Sequence, residues 1–316
     1  MSNHRVPAVG YGLYLIAAAL FGFNGTVAKT LLATGIPAAR LSELRVTAAF
    51  LVMLVVVLVS RPRTLRLKSW AELRLLAAYG ILGVMLTQFL YFVSIHLIPV
   101  GITLIIEFTA PFMVAIWFRV TRGDRVHRRV WLGMGVALAG LIAIAEIWNG
   151  FVLNTFGVIC AWGAAVSLAL YYVVGERCTA EPWNRDSISV TMWGFAGAAF
   201  VWAIVQPWWS FPWHYLQGQS EPWGTWKLQL PLWLLVVSMV LLGTVTTFWL
   251  VVASFKHISS AQASSIGMAE PVLASIIAWV LIGEALGGWQ IIGIAVTSAG
   301  ILIAERSRFL PSEYID

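Results

Sequence analysis

Ten long apolar runs, each bounded by charge, proline or glycine, constrain this chain more than any other feature. They cover residues 9–33, 38–60, 73–96, 99–119, 130–147, 154–175, 187–206, 231–255, 261–283 and 289–305. A helix crossing the roughly 30 Å hydrocarbon core of a bilayer needs about 20 mostly apolar residues, and the runs are close to that length. They are continuously apolar rather than alternating, which excludes a barrel and leaves helices, whose backbone groups are all satisfied internally in lipid. Charged residues make up 11% of the 316 residues, against about 25% in a soluble domain. The expectation is an all-α membrane protein with ten transmembrane helices, short loops and no added soluble domain. The first run is too long for the apolar core of a cleavable signal and lacks a convincing cleavage site, so it reads as a transmembrane helix. Two cysteines, Cys160 and Cys178, are too few for a disulfide framework or a zinc site. No metal or cofactor is expected.

Lys and Arg in alternate loops set the orientation. With a cytoplasmic N-terminus, the inside segments hold Arg5; Arg61, Arg63, Arg66, Lys68 and Arg74; Arg119, Arg122, Arg125, Arg128 and Arg129; Arg177 and Arg185; Lys256; Arg306 and Arg308. The outside segments hold only Arg40 and Lys227, sixteen against two, while Lys29 and Arg45 lie within spans. Both termini are therefore expected to be cytoplasmic, in the cell inner membrane. Tryptophans agree: Trp148, Trp208, Trp209, Trp213, Trp223 and Trp226 cluster at outer ends, and Trp70, Trp131 and Trp183 at inner ones. The basic balance, with a sequence pI near 9.6, is thus a topology signal, and no nucleic-acid partner is expected.

The chain also repeats itself. Shifted by 160 residues, Leu82 to Gly140 aligns without a gap, and fifteen of those 59 positions are identical. Gly83 falls on Gly243, Ser94 on Ser254, Pro111 on Pro271, Gly123 on Gly283, Gly133 on Gly293 and Gly140 on Gly300, while Asp124 falls on Glu284. The units are residues 9–147 and 154–306. Five helices is an odd number, so the second unit enters the membrane inverted relative to the first. Charge agrees: the loop after the fourth helix is strongly basic (Arg119 to Arg129), while its counterpart, Gly283 to Gly288, has no basic residue. Inverted repeats of this kind are characteristic of secondary transporters, with a site near the midplane between the halves.

The stretch Ala269-Glu270-Pro271-Val272, then Leu281-Ile282-Gly283-Glu284-Ala285-Leu286, Gly293 and Ala299-Gly300, resembles the signature closing an EamA domain, the repeat unit of the drug/metabolite transporter superfamily. The first half carries a degraded copy in Thr109-Ala110-Pro111, Gly123-Asp124, Gly133 and Ala139-Gly140, with an aspartate in place of the motif's glutamate. Lys29 and Arg45 match positions that the family favours. Within the superfamily, Glu107-Phe108-Thr109-Ala110-Pro111 resembles the amino-acid exporter branch. The resemblance implies ten helices, cytoplasmic termini, export of small metabolites, and a central cavity lined by helices one, three, four, six, eight and nine.

Ionisable residues inside spans are costly enough to raise functional hypotheses. Glu107 lies eight residues into the fourth span, about 12 Å deep at 1.5 Å per residue, and Glu270 reaches similar depth from the opposite face. Each carboxylate either contacts substrate, by binding an ammonium or exchanging protons, or makes a static bond to a neighbouring helix. Pro111 and Pro271 each remove a backbone hydrogen bond and kink their spans, for gating or for packing. Lys29, Glu43 and Arg45, near the outer surface, form a snorkelling local ion pair or an outer gate and carboxylate anchor. Asn24 and Gln88 line a cavity or bond between helices. Tyr91, Trp162 and Trp249 wall a pocket or face lipid. The segment Pro207 to Pro231 lies in the interface or serves as a lid.

No phosphate-binding glycine loop occurs, so ATP is not the driver, and no catalytic cluster suggests an enzyme. The favoured function is export of amino acids or related zwitterions by alternating access, with protons as a candidate coupling partner. The alternatives are a drug, nucleobase or vitamin cargo, or, in another class, a membrane-embedded sensor or enzyme. Small-residue stripes permit a homodimer without requiring one.

Overall fold

A computed structural model describes residues 6–123, 126–149, 154–221, 229–283 and 285–307. Of the residues singled out above, Arg5, Asp124, Arg125, Trp223, Trp226, Lys227, Glu284 and Arg308 lie outside the described residues. Among the described residues, ten helices are long and apolar enough to span a bilayer: α1 (Pro7–Leu32), α2 (Ala38–Ser60), α3 (Trp70–Leu97), α4 (Val100–Thr121), α5 (Arg128–Ala145), α6 (Thr155–Thr179), α7 (Ser187–Val205), α8 (Leu232–Ser254), α9 (Ser260–Leu281) and α10 (Gly288–Ser307). The protein is a multi-pass membrane protein built as two inverted five-helix repeats.

The repeat is visible in its irregularities as well as its helices. In α3 the segment Tyr79–Met85 is π-helical, and so is Leu241–Thr246 at the equivalent place in α8. In the second of these, threonine hydroxyls turn back five residues, Thr244 to the Met239 carbonyl at 2.9 Å and Thr247 to the Leu242 carbonyl at 2.6 Å. Widened turns of this kind are rare and are found frequently at functional sites.

Helices α4 and α9 are each broken, at Phe108–Thr109 and Met268–Ala269, into Val100–Glu107 with Ala110–Thr121 and Ser260–Gly267 with Glu270–Ile282. Both half-helix starts and the break itself keep the 160-residue offset: Val100 with Ser260, Glu107 with Gly267 and Ala110 with Glu270. The kinks expected at Pro111 and Pro271 in fact fall two to three residues earlier. Each proline stands in the first turn of the second half-helix, where its missing N–H is no loss. The break leaves the backbone carbonyls of Glu107 and Gly267 without an i+4 donor.

Tight contact between α5 and α10 joins the halves. Backbone approaches side chain-free backbone there: a Cβ on Gly293 would lie 2.6 Å from the Gly140 carbonyl oxygen, and one on Gly300 2.6 Å from that of Gly133. Only glycine permits such approach.

The loops sort onto two faces. The basic face carries the ion pairs Arg61–Asp186 (2.9 Å) and Lys256–Asp186 (3.6 Å), and a buried pair, Arg185–Glu72 (2.9 Å). Arg185 also donates to the Arg66 carbonyl and the Ser189 hydroxyl, so each of its three guanidinium nitrogens has an acceptor. On the opposite face, Arg40 binds Glu43 and the Ser210 hydroxyl. Phe211 is buried there among Val27, Leu31, Ile36 and Leu41, so this part of the α7–α8 loop packs onto helix ends. A two-residue antiparallel ladder, β1 (Gln219–Ser220) with β2 (Leu230–Pro231), closes the loop.

Candidate functional site

The broken and widened helices surround one cavity of about 590 Å³. Its walls come from α1, α3, α4, α6, α8 and α9, the six helices expected, with Arg45 of α2 and Gln290 of α10 added. The lining runs out to Leu32, Val100, Leu286 and Gln290, which are residues at or near helix ends on the face opposite the basic one. The cavity therefore opens toward that face.

Toward the basic face it is shut. The hydroxyls of Tyr14 and Tyr172 are hydrogen-bonded across its floor, under Gly267, where a side chain would strike both. Below them the carboxylate of Glu176 accepts from the Ser260 amide (3.1 Å) and hydroxyl (2.5 Å), with Arg122 at 3.9 Å. The Gln262 amide donates to Tyr11, which donates to Glu305, both at 2.8 Å.

Glu107 ends the first half-helix of α4 and Glu270 begins the second half-helix of α9, so the two breaks deliver both carboxylates to one cavity. They lie within electrostatic reach of one another, and among the described residues no hydrogen bond or ion pair ties either to a protein partner. Asn24 and Gln88, 5% and 8% exposed, also line the cavity. The Asn24 carbonyl oxygen and both polar atoms of Gln88 are buried without a protein partner among the described residues. A buried polar atom without a partner costs about 1–3 kcal/mol, so the Gln88 amide is poised for a ligand or water, while the Asn24 oxygen lies against Gly243 of α8. Arg45 lies over the Phe92 ring at 5.7 Å with its Nε unpartnered. Lys29 lies at the open end and Tyr91 on the wall, beside Phe21, Phe108, Tyr171 and Phe248.

Not every residue singled out from the sequence lies here. Trp162 and Trp249 stay outside the lining, on the exposed surface of the bundle, because their helices turn other faces inward. Glu43 is fully buried against Arg40 rather than Arg45 and does not reach the cavity. Pro111 is buried and outside the lining, whereas Pro271 is part of it. Tyr14, Tyr172 and Glu176 were not singled out. Their signal was present in the sequence, as hydroxyls and a carboxylate within otherwise apolar runs.

Two inverted five-helix units enclosing a polar-floored cavity that reaches only one face have the build of a secondary transporter. The chain belongs to the EamA-like transporter family, whose profile matches residues 8–145 and 155–305. Among its relatives, the threonine/homoserine exporter RhtA of Escherichia coli (strain K12) is 26% identical over 293 residues, 91% of this chain and 88% of that protein. RhtA of Salmonella typhimurium (strain LT2) is 27% identical over 257 residues, 80% of this chain and 79% of the relative. An uncharacterized transporter of Bacillus subtilis, YdfC, is 23% identical over 237 residues, 75% of this chain and 72% of that protein. A solved crystal structure superposes with a TM-score of 0.78 at 20% identity, over 96% of this chain and 99% of the other, and shares the fold.

Proposed function

We propose that this transporter exports amino acids or closely related zwitterions from the cytoplasm across the inner membrane by alternating access. The observation that carries the reading is the pair Glu107 and Glu270, one from each repeat, facing a single cavity without partners among the described residues. Two carboxylates there suit an ammonium group, while Asn24 and Gln88 supply donors and acceptors that fix orientation. The aromatic wall gives an apolar side chain somewhere to pack. Similarity to threonine/homoserine exporters supports the same cargo class.

The basic face, with both termini, is read as cytoplasmic on the loop charges. The structure described is then the outward-open state, and export requires the Tyr14–Tyr172 floor to part while the opposite end closes. Glu107 is the candidate carrier if protons are exchanged for substrate. Pro271, at the head of a half-helix in the wall, is the candidate hinge, with Pro111 behind it in the other half.

Counterflow of labelled L-amino acids in proteoliposomes, for the native chain and for Glu107→Gln, tests the reading. Accumulation of at least one amino acid, reduced about ten-fold or more in the variant, is expected. No counterflow with any amino acid defeats the cargo class. Unchanged transport and an unchanged pH profile in the variant remove Glu107 from the mechanism.

A further inference from the structure

The first helices of the two repeats keep their own fixed offset. Gly10 packs against His257 and Ile258 as Gly157 packs against Leu97 and Ile98, and Asn24 faces Gly243 as Tyr171 faces Gly83. Positions in α1 and α6 therefore correspond at 147 residues, while those in the later helices correspond at 160. On this mapping the counterpart of Glu176 is Lys29. The counterpart of Ser260, the first residue of α9, is Val100, the first residue of α4.

The two helix starts are treated differently. The α9 start is closed by a full capping box, Ser259 with Gln262, and by Glu176 accepting from the Ser260 amide. The α4 start follows Pro99 and has no side-chain cap. A lysine stands where the carboxylate stood. Lys29 and Val100 both line the open end of the cavity.

Alternating access between inverted repeats requires the open end to close as the basic end is closed now. That movement carries the end of α1 toward the start of α4, as α6 now meets α9. On the basic face it joins a negative side chain to the positive end of a helix dipole. At the open end it would drive a positive one against it. An anion between them turns this repulsion into a bridge, because uncapped N–H groups at a helix start are anion ligands. A second, independent feature points to the same ligand. Arg45, 7% exposed and near the start of α2, which begins on this face, lines the cavity with its Nε unpartnered among the described residues.

We infer that Lys29, Arg45 and the uncapped start of α4 form a carboxylate-binding subsite, and that the substrate's carboxylate completes closure of this end. The zwitterion then lies with its ammonium toward Glu107 and Glu270 and its carboxylate toward the mouth. Only this orientation rests on the amino-acid reading; the anion subsite stands apart from it. A consequence is that the empty carrier closes this end poorly, so exchange outruns net flux.

A cysteine at Leu32, on the cavity mouth, reports closure as protection from a membrane-impermeant maleimide, in a Cys160→Ser, Cys178→Ser chain in proteoliposomes. The probes are L-amino acids, their amides, which lack the carboxylate, and the matching deaminated acids, which lack the ammonium. Amino acids and deaminated acids are expected to slow labelling about ten-fold or more, and amides to leave it unchanged. Lys29→Met should abolish the protection; Lys29 is an exposed side chain, so this variant tests the subsite without disturbing packing. Amides protecting as well as acids, or full protection in Lys29→Met, overturns the subsite. If no amino acid drives counterflow but the deaminated acids protect, the amino-acid reading fails and the subsite stands. If neither amino acids nor acids protect, the subsite fails.

Discussion

The Thr297 hydroxyl donates to the backbone carbonyl of Ala137 at 3.3 Å, and the two residues occupy the same position of the two repeats, 160 apart. A residue that meets its own counterpart stands on the axis relating the halves. Around this point Gly133 meets Gly300 and Gly140 meets Gly293, each contact the exchanged image of the other, as a two-fold relation demands. Helices α5 and α10 are therefore the fixed pair about which the remaining helices are arranged.

Substitution at this crossing should be poorly tolerated. Gly300→Ala places a Cβ 2.6 Å from the Gly133 carbonyl oxygen, and overpacking of this sort costs about 1–3 kcal/mol. Gly135→Ala, on the partner helix α5 with open space around it, should be neutral or stabilising by up to about 1 kcal/mol. Thermal unfolding in detergent compares the two; equal melting temperatures would show that the crossing is loosely packed.

Arg185 and Glu72 form a buried ion pair at the basic face, 6% and 1% exposed. Removing one partner strands the other, so Arg185→Met should destabilise by about 3–5 kcal/mol, and adding Glu72→Leu should recover most of that loss. The same unfolding assay, run as a double-mutant cycle, checks it. Additive losses would mean that the pair is solvated.

Glu176→Gln removes the charge that faces both Arg122 and the start of α9. The floor of the cavity should open more often. A cysteine at Leu168, in the cavity wall, should then react several-fold faster with a thiol reagent applied from the basic face, since one charge-assisted bond of about 1.5–3 kcal/mol is weakened. Unchanged reactivity would locate the closing force elsewhere, at Tyr14 and Tyr172.

The cavity and the outer wall of the bundle should respond differently to mutation. Gln88→Leu, deleting an unpartnered amide inside the cavity, should lower counterflow about ten-fold if that amide binds substrate. Trp162→Leu and Trp249→Leu, on the exposed surface, should leave it within about two-fold. Kinetics of each variant at matched protein density supply the comparison.

Ten apolar runs and a 160-residue register were enough to read the helix number and the inverted pairing, because bilayer thickness and backbone satisfaction leave few alternatives. The depth of Glu107 and Glu270 followed from counting along their spans. Which way Trp162 and Trp249 faced did not. In a helix apolar on every side, no periodicity separates the lipid face from the packed one, and the π turns in α3 and α8 shift the phase of the residues beyond them. Partner choice was equally hidden: Glu43 lies two residues from Arg45 in sequence but pairs with Arg40, one turn back along the helix.

The self-complementary crossing of α5 and α10 is a surface that one five-helix unit would present equally well to a second, antiparallel copy of itself. Two separate chains could bury the same contact. What joining them in one chain adds is independence of the two copies. Glu107 has Gly267 as its counterpart, and Glu270 has Ala110. A pair of identical halves would carry each acid twice or not at all. Fusion lets one protein hold each carboxylate once, so the site can tell the two ends of a cargo apart although the frame around it is nearly symmetric.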